Sequence, residues 1–262
     1  MKMFAHTLFF ISLGFFGLIQ AALALDGGRI TYVVDGDTFV VEGQSVRLLG
    51  INTPEKGRDG QPAEPGAIEA TKTLKALVSS PAGALKTVNL RYDGNKTDRY
   101  DRLLAHAYLK NGLWINKALV DAGVARVYSF PDNRALLNDL LEAEATARQN
   151  GIGMWQYPDW QVLNATPPPS KKYIGQFHLV KGTPLNTAKV GDKIYLNYGK
   201  DWRTDFTVEI PEKFWPLFKE SGIDPATHYT GKALLARGWL KPVNGVLITA
   251  THPEQLQILE KN

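Results

Sequence analysis

Three consecutive prolines at positions 167–169 constrain the fold of this chain more than any other feature of its sequence. Proline lacks an amide hydrogen and fixes its own φ angle, so such a run continues neither a helix nor a central strand. The surrounding stretch, residues 161–172, is therefore predicted to be an extended linker. This linker would divide the chain into two folded regions, residues 25–160 and 173–262.

The first 24 residues have the pattern of a signal peptide. Lys2 precedes an almost wholly apolar run at residues 9–19, and Ala22 and Ala24 follow at the spacing that signal peptidase accepts. The alternative is an uncleaved anchor, but the apolar stretch is only just long enough to span a bilayer. Cleavage after Ala24 predicts an exported protein, periplasmic or extracellular in a bacterium, without stable membrane association.

The chain contains no cysteine, and this excludes disulfide, zinc-thiolate and cysteine-nucleophile chemistry. The five histidines are scattered without the spacing of a metal site. The net charge of +4 is only weak support for a polyanionic partner, because mildly basic proteins are common.

Short β-rich segments and helical patterns follow one another through residues 25–160. Asp35-Gly36-Asp37-Thr38 and Glu42-Gly43-Gln44 are hairpin turns between predicted strands. The predicted strands are residues 29–34, 39–41, 45–49, 87–92 and 103–109, and the predicted helices are 67–78, 115–122 and 133–149. Five strands with a helix after the third have the connectivity of an OB-type barrel, in an α+β chain that is mainly β.

Residues 173–262 repeat this order without repeating the sequence, which predicts a second, OB-like small β-barrel. Its predicted strands are residues 176–180, 193–197, 205–210, 232–240 and 246–250, with helices at 212–220 and 253–259. This region interleaves aromatic residues with lysines. The aromatics could stack on single-stranded nucleic acid, or they could form the core of the barrel, and the core is the simpler interpretation.

Phosphodiester hydrolysis requires cationic donors for the phosphate, a group that deprotonates or orients water, and usually a divalent metal. Carboxylates suit a hard cation, and the planar fork of arginine suits phosphate oxygens. The first region carries such residues in three motifs, each of which taken singly is most often only a turn, a solvated strand arginine or an exposed hairpin. The motifs are Val33-Val34-Asp35-Gly36-Asp37-Thr38, the stretch from Val46-Arg47 through Asn52-Thr53-Pro54-Glu55, and Thr97-Asp98-Arg99-Tyr100-Asp101-Arg102.

In this order and spacing the motifs resemble the staphylococcal (micrococcal) nuclease family, over about residues 28–155. The resemblance implies an OB barrel with three helices and a role for each matched residue. Arg47 and Arg102 match the arginines that hold the phosphate, and Glu55 matches the glutamate that activates or orients water. The other matches are Asp37 and Thr53 as calcium ligands, Asp35 and Asp98 as supporting carboxylates, and Tyr100 and Tyr128 as residues of the nucleotide pocket.

Asn52 departs from the pattern of this family. Many members have a second metal-binding aspartate there, whereas the Asn52 side chain offers a carbonyl oxygen without a charge. The expected consequence is weaker calcium binding, a changed preference among divalent metals, or lost activity.

The sequence thus predicts an exported, monomeric, metal-dependent nuclease that cleaves DNA, RNA or both with low sequence specificity. Calcium is the expected metal, with other divalent ions as alternatives. The competing interpretation is a catalytically weak or inactive envelope protein that uses the same fold to bind nucleic acid or a protein.

Overall fold

The computed structural model describes residues 25–57 and 60–259. The predicted signal peptide, residues 1–24, lies outside the described residues. Within those two ranges, no helix is long and apolar enough to cross a membrane.

A closed five-stranded barrel forms the first part of the chain, as the sequence predicted. The strands run in the order β1-β2-β3-β6-β5, and only the β3–β6 pairing is parallel. Alternate residues point inward, so Ile30, Phe39 and Val46 are almost completely buried. The elements up to the last barrel strand are β1 (Gly27–Val33), β2 (Thr38–Val41), β3 (Gln44–Leu48), β4 (Ile51–Asn52), α1 (Ala67–Val78), β5 (Thr87–Arg91) and β6 (Leu103–Leu109).

Two helices and a short strand follow the barrel: α2 (Ile115–Asp121), β7 (Arg126–Val127) and α3 (Leu137–Gln149). Strand β7 pairs with β4, which places Arg126 opposite Asn52. The sequence did not predict this two-residue ladder. It brings the chain after residue 127 beside the end of the barrel that carries Asn52.

The remaining strands form two four-stranded sheets, β10-β11-β12-β14 and β15-β13-β9-β8, where the sequence predicted a second five-stranded barrel. Both sheets contribute to one apolar core, which includes Val180, Phe206 and Ile248. The elements are β8 (Leu163–Asn164), β9 (Phe177–Gly182), β10 (Asn186–Val190), β11 (Lys193–Asn197), β12 (Phe206–Pro211), α4 (Trp215–Glu220), β13 (Leu234–Trp239), β14 (Val246–Thr249) and β15 (Leu256–Ile258).

The predicted final helix at residues 253–259 is wrong. A single 3-10 turn at Pro253–Gln255 leads directly into β15, which pairs antiparallel with β13 and buries Leu256. Pairing with a strand far away in sequence outweighs local helix propensity here. The predicted linker also has structure, because β8 pairs in parallel with β9 and Ala165 is buried.

The barrel and the C-terminal sheets share an interface that contains an apolar cluster and paired charges. The cluster includes Trp155 and Trp160 from one side and Phe177 and Leu235 from the other. Beside it, Arg237 of β13 forms a fully buried ion pair with Glu144 of α3. The interface is therefore partly a continuous core rather than a flexible junction.

Candidate active site

A groove of about 1190 Å³ opens between the 35–37 turn, the end of β3, the loop before β6 and the segment after β7. It is lined by nearly all the residues that the sequence singled out. These are Asp35, Asp37, Arg47, Asn52, Glu55, Asp98, Tyr100, Arg102 and Tyr128. Thr53, the remaining predicted residue, is buried and contacts the site through Asp37.

Asp37 is held at one end of the groove by contacts on both carboxylate oxygens. Oδ1 accepts from the Thr38 hydroxyl at 3.0 Å, and Oδ2 accepts from the Thr53 amide at 3.0 Å. The close approach of the turn to Thr53 requires Gly36, because a Cβ there would lie 2.6 Å from the Thr53 hydroxyl oxygen. Asp37 is therefore fixed in place before any ligand binds.

Arg47 lies on β3 opposite Thr38 and has a firmly oriented guanidinium. Nη1 lies 2.9 Å from Asp37 Oδ2 and also donates to the carbonyls of Leu48 and Ile51. Nη2 donates to Asn52 Oδ1 at 2.7 Å. With its side chain 13% exposed, Arg47 is a preorganised cation in the groove.

Asn52 and Thr53 direct their oxygens towards partners within the protein. Asn52 Oδ1 accepts from Arg47, and Asn52 Nδ2 donates to the Thr53 carbonyl at 3.1 Å. Each of these oxygens has a second lone pair, so the hydrogen bonds still leave it able to coordinate a cation.

Two further carboxylates face Asp37, and both have raised pKa values. Burial, followed by the negative charge of Asp37, raises the pKa of Glu55, whereas Arg47 lowers it. The same two causes, in the same order, raise the pKa of Asp35. Negative charge is thus in excess at this end of the groove, and a bound cation would relieve it.

The oxygen-rich donor set fits a hard divalent cation such as calcium in its chemistry. The described residues contain no group of three or more histidine, cysteine, aspartate or glutamate side chains arranged to hold a metal ion. A cation at this position would therefore depend on the amide and backbone oxygens of Asn52 and Thr53 as well as on Asp37 and its neighbours.

Arg102 and Asp98 form a second charged pair in the groove. Arg102 Nε and Nη2 lie 2.8 Å and 2.7 Å from Asp98 Oδ2, while Oδ1 accepts from the amides of Tyr100 and Arg102. Burial acts to raise the pKa of Asp98, but these hydrogen bonds outweigh it and lower the pKa. Arg102 is about one-third exposed, so it remains accessible to an anion in the groove.

The two predicted pocket tyrosines differ in their surroundings. Tyr100 is 63% exposed, and the guanidinium groups of Arg99 and Arg102 lie over its ring at 4.7 Å and 5.6 Å. Tyr128 is half-buried, its amide donates to the Gly50 carbonyl, and its hydroxyl accepts from Trp239 of the C-terminal sheets. Tyr100 is therefore exposed and contacted by two arginines, whereas Tyr128 is fixed by both parts of the chain.

Arg126 is a residue near the site that the sequence analysis missed. Its guanidinium lies 4.9 Å from the ring centre of Trp160 and 4.7 Å from that of Phe177. Burial lowers its pKa to about 10, which leaves it charged at neutral pH, and Glu64 is the main opposing influence. Its position depends on the β4–β7 pairing, which no local sequence pattern predicts.

Glu64 was also missed, and it closes the loop that carries Glu55. Its Oε2 accepts from the Glu55 amide, and its own amide donates to the Glu55 carbonyl. Trp160 secures the same loop by donating to the Pro65 carbonyl at 2.8 Å. These bonds fix the backbone of Glu55, and the Glu55 side chain is left in the groove.

Comparison with known proteins identifies the first part of the chain. The family model of staphylococcal nuclease homologues matches residues 45–157. An uncharacterized endonuclease of Escherichia coli is 34% identical over 137 residues, which is 50% of this chain and 78% of that protein. The thermonuclease of Staphylococcus intermedius is 30% identical over 128 residues, or 47% of this chain and 73% of that protein.

An uncharacterized protein of Bacillus anthracis is 36% identical over 134 residues, which are 49% of this chain. This chain covers 60% of the length of that protein. In each of these three matches about half of the present chain is aligned, so the comparisons concern the barrel more than the C-terminal sheets. The chain belongs to the staphylococcal nuclease family, a family of phosphodiester hydrolases.

Proposed function

We propose that this chain is an exported, metal-dependent nuclease that hydrolyses phosphodiester bonds of DNA, RNA or both with low sequence specificity. The observation that carries the proposal is that Arg47 and Arg102 line one groove together with Glu55. Binding alone would need the two cations, but it would not need a carboxylate with a raised pKa beside them.

Arg47 and Arg102 would bind the oxygens of the scissile phosphate. Each guanidinium is already oriented by a carboxylate, Asp37 for Arg47 and Asp98 for Arg102. Because neither side chain has to be ordered during the reaction, both can stabilise the negative charge that collects on the phosphate in the transition state. Contacts to phosphate carry little information about base sequence, which accounts for the low specificity.

Glu55 would orient the attacking water and accept its proton. A general base is most effective when its pKa approaches the operating pH, and both burial and Asp37 raise the pKa of Glu55 in that direction. The loop contacts made by Glu64 hold the backbone of Glu55, so the carboxylate can remain beside the phosphate.

Asp37, Asn52 and the Thr53 carbonyl would hold calcium or another divalent ion, supported by Asp35. When bound, such an ion supplies positive charge that neutralises the phosphate oxygens. The engagement of Asn52 and Thr53 in internal hydrogen bonds favours a weak metal site, and at its limit an inactive nucleic-acid-binding protein on the same fold.

Digestion of supercoiled plasmid, single-stranded DNA and RNA by the mature protein tests this proposal. We expect cleavage with calcium or with another divalent metal, and none with a chelator. Cleavage that persists undiminished in chelator would contradict the metal dependence. Binding of nucleic acid without cleavage in any metal would favour the inactive binding protein.

A further inference from the structure

The aromatic residues of the C-terminal region fall into two groups by exposure. Tyr198, Phe206, Phe218 and Tyr229 are buried in its core, as the simpler interpretation of the sequence expected. Trp239, by contrast, is 50% exposed at the end of β13. A large apolar side chain that stays in water within a well-packed region is available for an external partner.

Trp239 lies directly beside the candidate active site. Its indole Nε1 donates to the Tyr128 hydroxyl at 3.2 Å, and Tyr128 lines the groove. Phe177 packs edge-to-face against both rings, with ring centres 5.2 Å from Tyr128 and 6.2 Å from Trp239. These aromatic residues therefore form one connected cluster that reaches from the groove to the C-terminal sheets.

Phe130 extends the same cluster on the other side of Tyr128. Its ring packs edge-to-face against Tyr128 at 5.1 Å, and 41% of Phe130 is exposed on the groove wall. Tyr128 is thus flanked by two accessible rings, one from each part of the chain. The buried guanidinium of Arg126 lies 4.7 Å from the ring centre of Phe177 and adds positive charge to this cluster.

We propose that Phe130 and Trp239 form a stacking subsite for unpaired bases of a single-stranded nucleic acid, which extends the substrate groove onto the C-terminal sheets. This inference rests on the proposed nuclease function, since Phe130 and Tyr128 line the same groove as Arg47 and Arg102, and Trp239 contacts Tyr128. A single strand is the fitting occupant because it exposes base faces, whereas a duplex covers them by stacking its bases on each other. Stacking of this kind accepts any base.

The test measures binding separately from cleavage. In a Glu55→Gln background, the dissociation constant of a labelled single-stranded octanucleotide is measured by fluorescence anisotropy in calcium. Trp239→Ala and Phe130→Ala should each weaken binding by about 5-fold to 150-fold, the range for loss of one stacked base. Trp202→Ala is the matched control: Trp202 is 49% exposed, stacks on Arg203 and does not line the groove, so binding should stay unchanged.

A second comparison separates stacking from support of Tyr128. Trp239→Phe keeps a ring but loses the indole N–H that donates to the Tyr128 hydroxyl. If the bases stack on Trp239, Trp239→Phe should bind within about threefold of the parent, far closer than Trp239→Ala. If Trp239→Phe instead loses as much affinity as Trp239→Ala, the indole acts by positioning Tyr128 and the stacking subsite is overturned.

Cleavage assays use the protein that retains Glu55. They distinguish failure of this inference from failure of the nuclease proposal. Trp239→Ala should raise KM for the octanucleotide and leave kcat unchanged, because the ring lies away from the charged residues of the groove. Unchanged KM and unchanged affinity in an active enzyme would overturn the subsite and leave the nuclease intact. A parent protein that cleaves nothing would end the nuclease proposal, and the binding series would still decide whether the rings hold a single strand.

Discussion

Two arginine–carboxylate pairs in this chain have similar chemistry and opposite surroundings. Arg237 and Glu144 form a bidentate pair at the interface, with N–O distances of 3.1 Å and 2.8 Å and both side chains 1% exposed. Arg47 and Asp37 meet at 2.9 Å in the groove, at 13% and 7% exposed. The first pair excludes other ligands, whereas the second lies where a phosphate or cation can reach it.

The partners around each pair account for this difference. Glu144 also accepts from the Val127 amide, and Arg237 also donates to the Gln257 side chain. Both carboxylate oxygens of Glu144 and both terminal nitrogens of Arg237 therefore have partners within the protein. In the groove, Glu55 and Asp35 face Asp37 and their pKa values are raised. A closed network stabilises the fold, whereas a network with excess charge is suited to bind and react with a substrate.

Loss of the Glu55 carboxylate should have the largest effect, and it should fall on the rate alone. Glu55→Gln is expected to lower the cleavage rate by about 10²-fold to 10⁴-fold, the usual contribution of a general base, with unchanged melting temperature and DNA affinity. The matched control is Glu69→Gln, an exposed carboxylate on α1 outside the groove. A Glu55→Gln protein that retains near-full activity would end the proposed mechanism.

Breaking the Glu144–Arg237 pair should instead lower the stability of the fold. Glu144→Ala leaves a buried guanidinium without its partner, and the free energy of unfolding should fall by about 3–5 kcal/mol. Glu142→Ala, on the exposed face of the same helix, should change it by less than about 0.5 kcal/mol. Denaturant unfolding with an intrinsic tryptophan signal measures both.

The double variant Glu144→Leu/Arg237→Met tests the reason for that loss. Replacing both charges with apolar side chains of similar size should recover most of the stability, because no charge remains buried and unpaired. If the double variant is as unstable as Glu144→Ala, the loss reflects packing rather than the charge of Arg237.

The sequence could predict the parts of the molecule that depend on local signals, but not those that depend on pairing between distant segments. Helix α1 and strand β6 have the predicted bounds because turn residues and apolar periodicity are local signals. The final strand was mistaken for a helix, and β4 and β7 were missed, because their pairings join segments far apart in sequence. A two-residue strand is also too short to show any periodicity.

The residues of the candidate site also divide into those in local motifs and those placed by long-range packing. The motifs that carry Asp37, Arg47 and Arg102 could be recognised in order, and the structure brings these residues to one groove. Arg126 and Trp239 could not be foreseen, because their places depend on the β4–β7 ladder and on the packing of the C-terminal sheets. The pair Glu144–Arg237 joins residues 93 positions apart and has no sequence signal at all.

Acid should lower the free energy of unfolding through three buried histidines. Burial lowers the pKa values of His106, His178 and His252 to about 4, below the ordinary value of 6.5. Since the unfolded chain takes up these protons first, stability should be full above pH 6.5 and fall between pH 6.5 and about 4. Each histidine should contribute about 1.4 kcal/mol per pH unit in that window.

His252 links this prediction to the interface. It forms a hydrogen bond with Ser129 across the interface. Burial is the main cause of its lowered pKa; Glu254 opposes this shift, and Arg134 and Arg237 add to it. His252→Gln should reduce the slope of unfolding free energy against pH by about one-third, measured by denaturant unfolding at pH 7, 6 and 5. An unchanged slope would show that His252 takes up its proton equally readily in the folded chain.

The smallest effect is expected at Asn52, where the groove lacks a charge. Asn52→Asp should lower the calcium concentration for half-maximal DNA cleavage by about fivefold to tenfold, because one more carboxylate near a cation adds about 1 kcal/mol even in water. The new carboxylate would also pair with Arg47, which already donates to this side chain, and that pairing limits the gain. The control is Asn95→Asp, which adds the same charge in the groove at a residue that contacts Asp132. A half-maximal concentration that shifts equally in both variants reports only the general field of the groove, and one that shifts in neither removes Asn52 from the metal site.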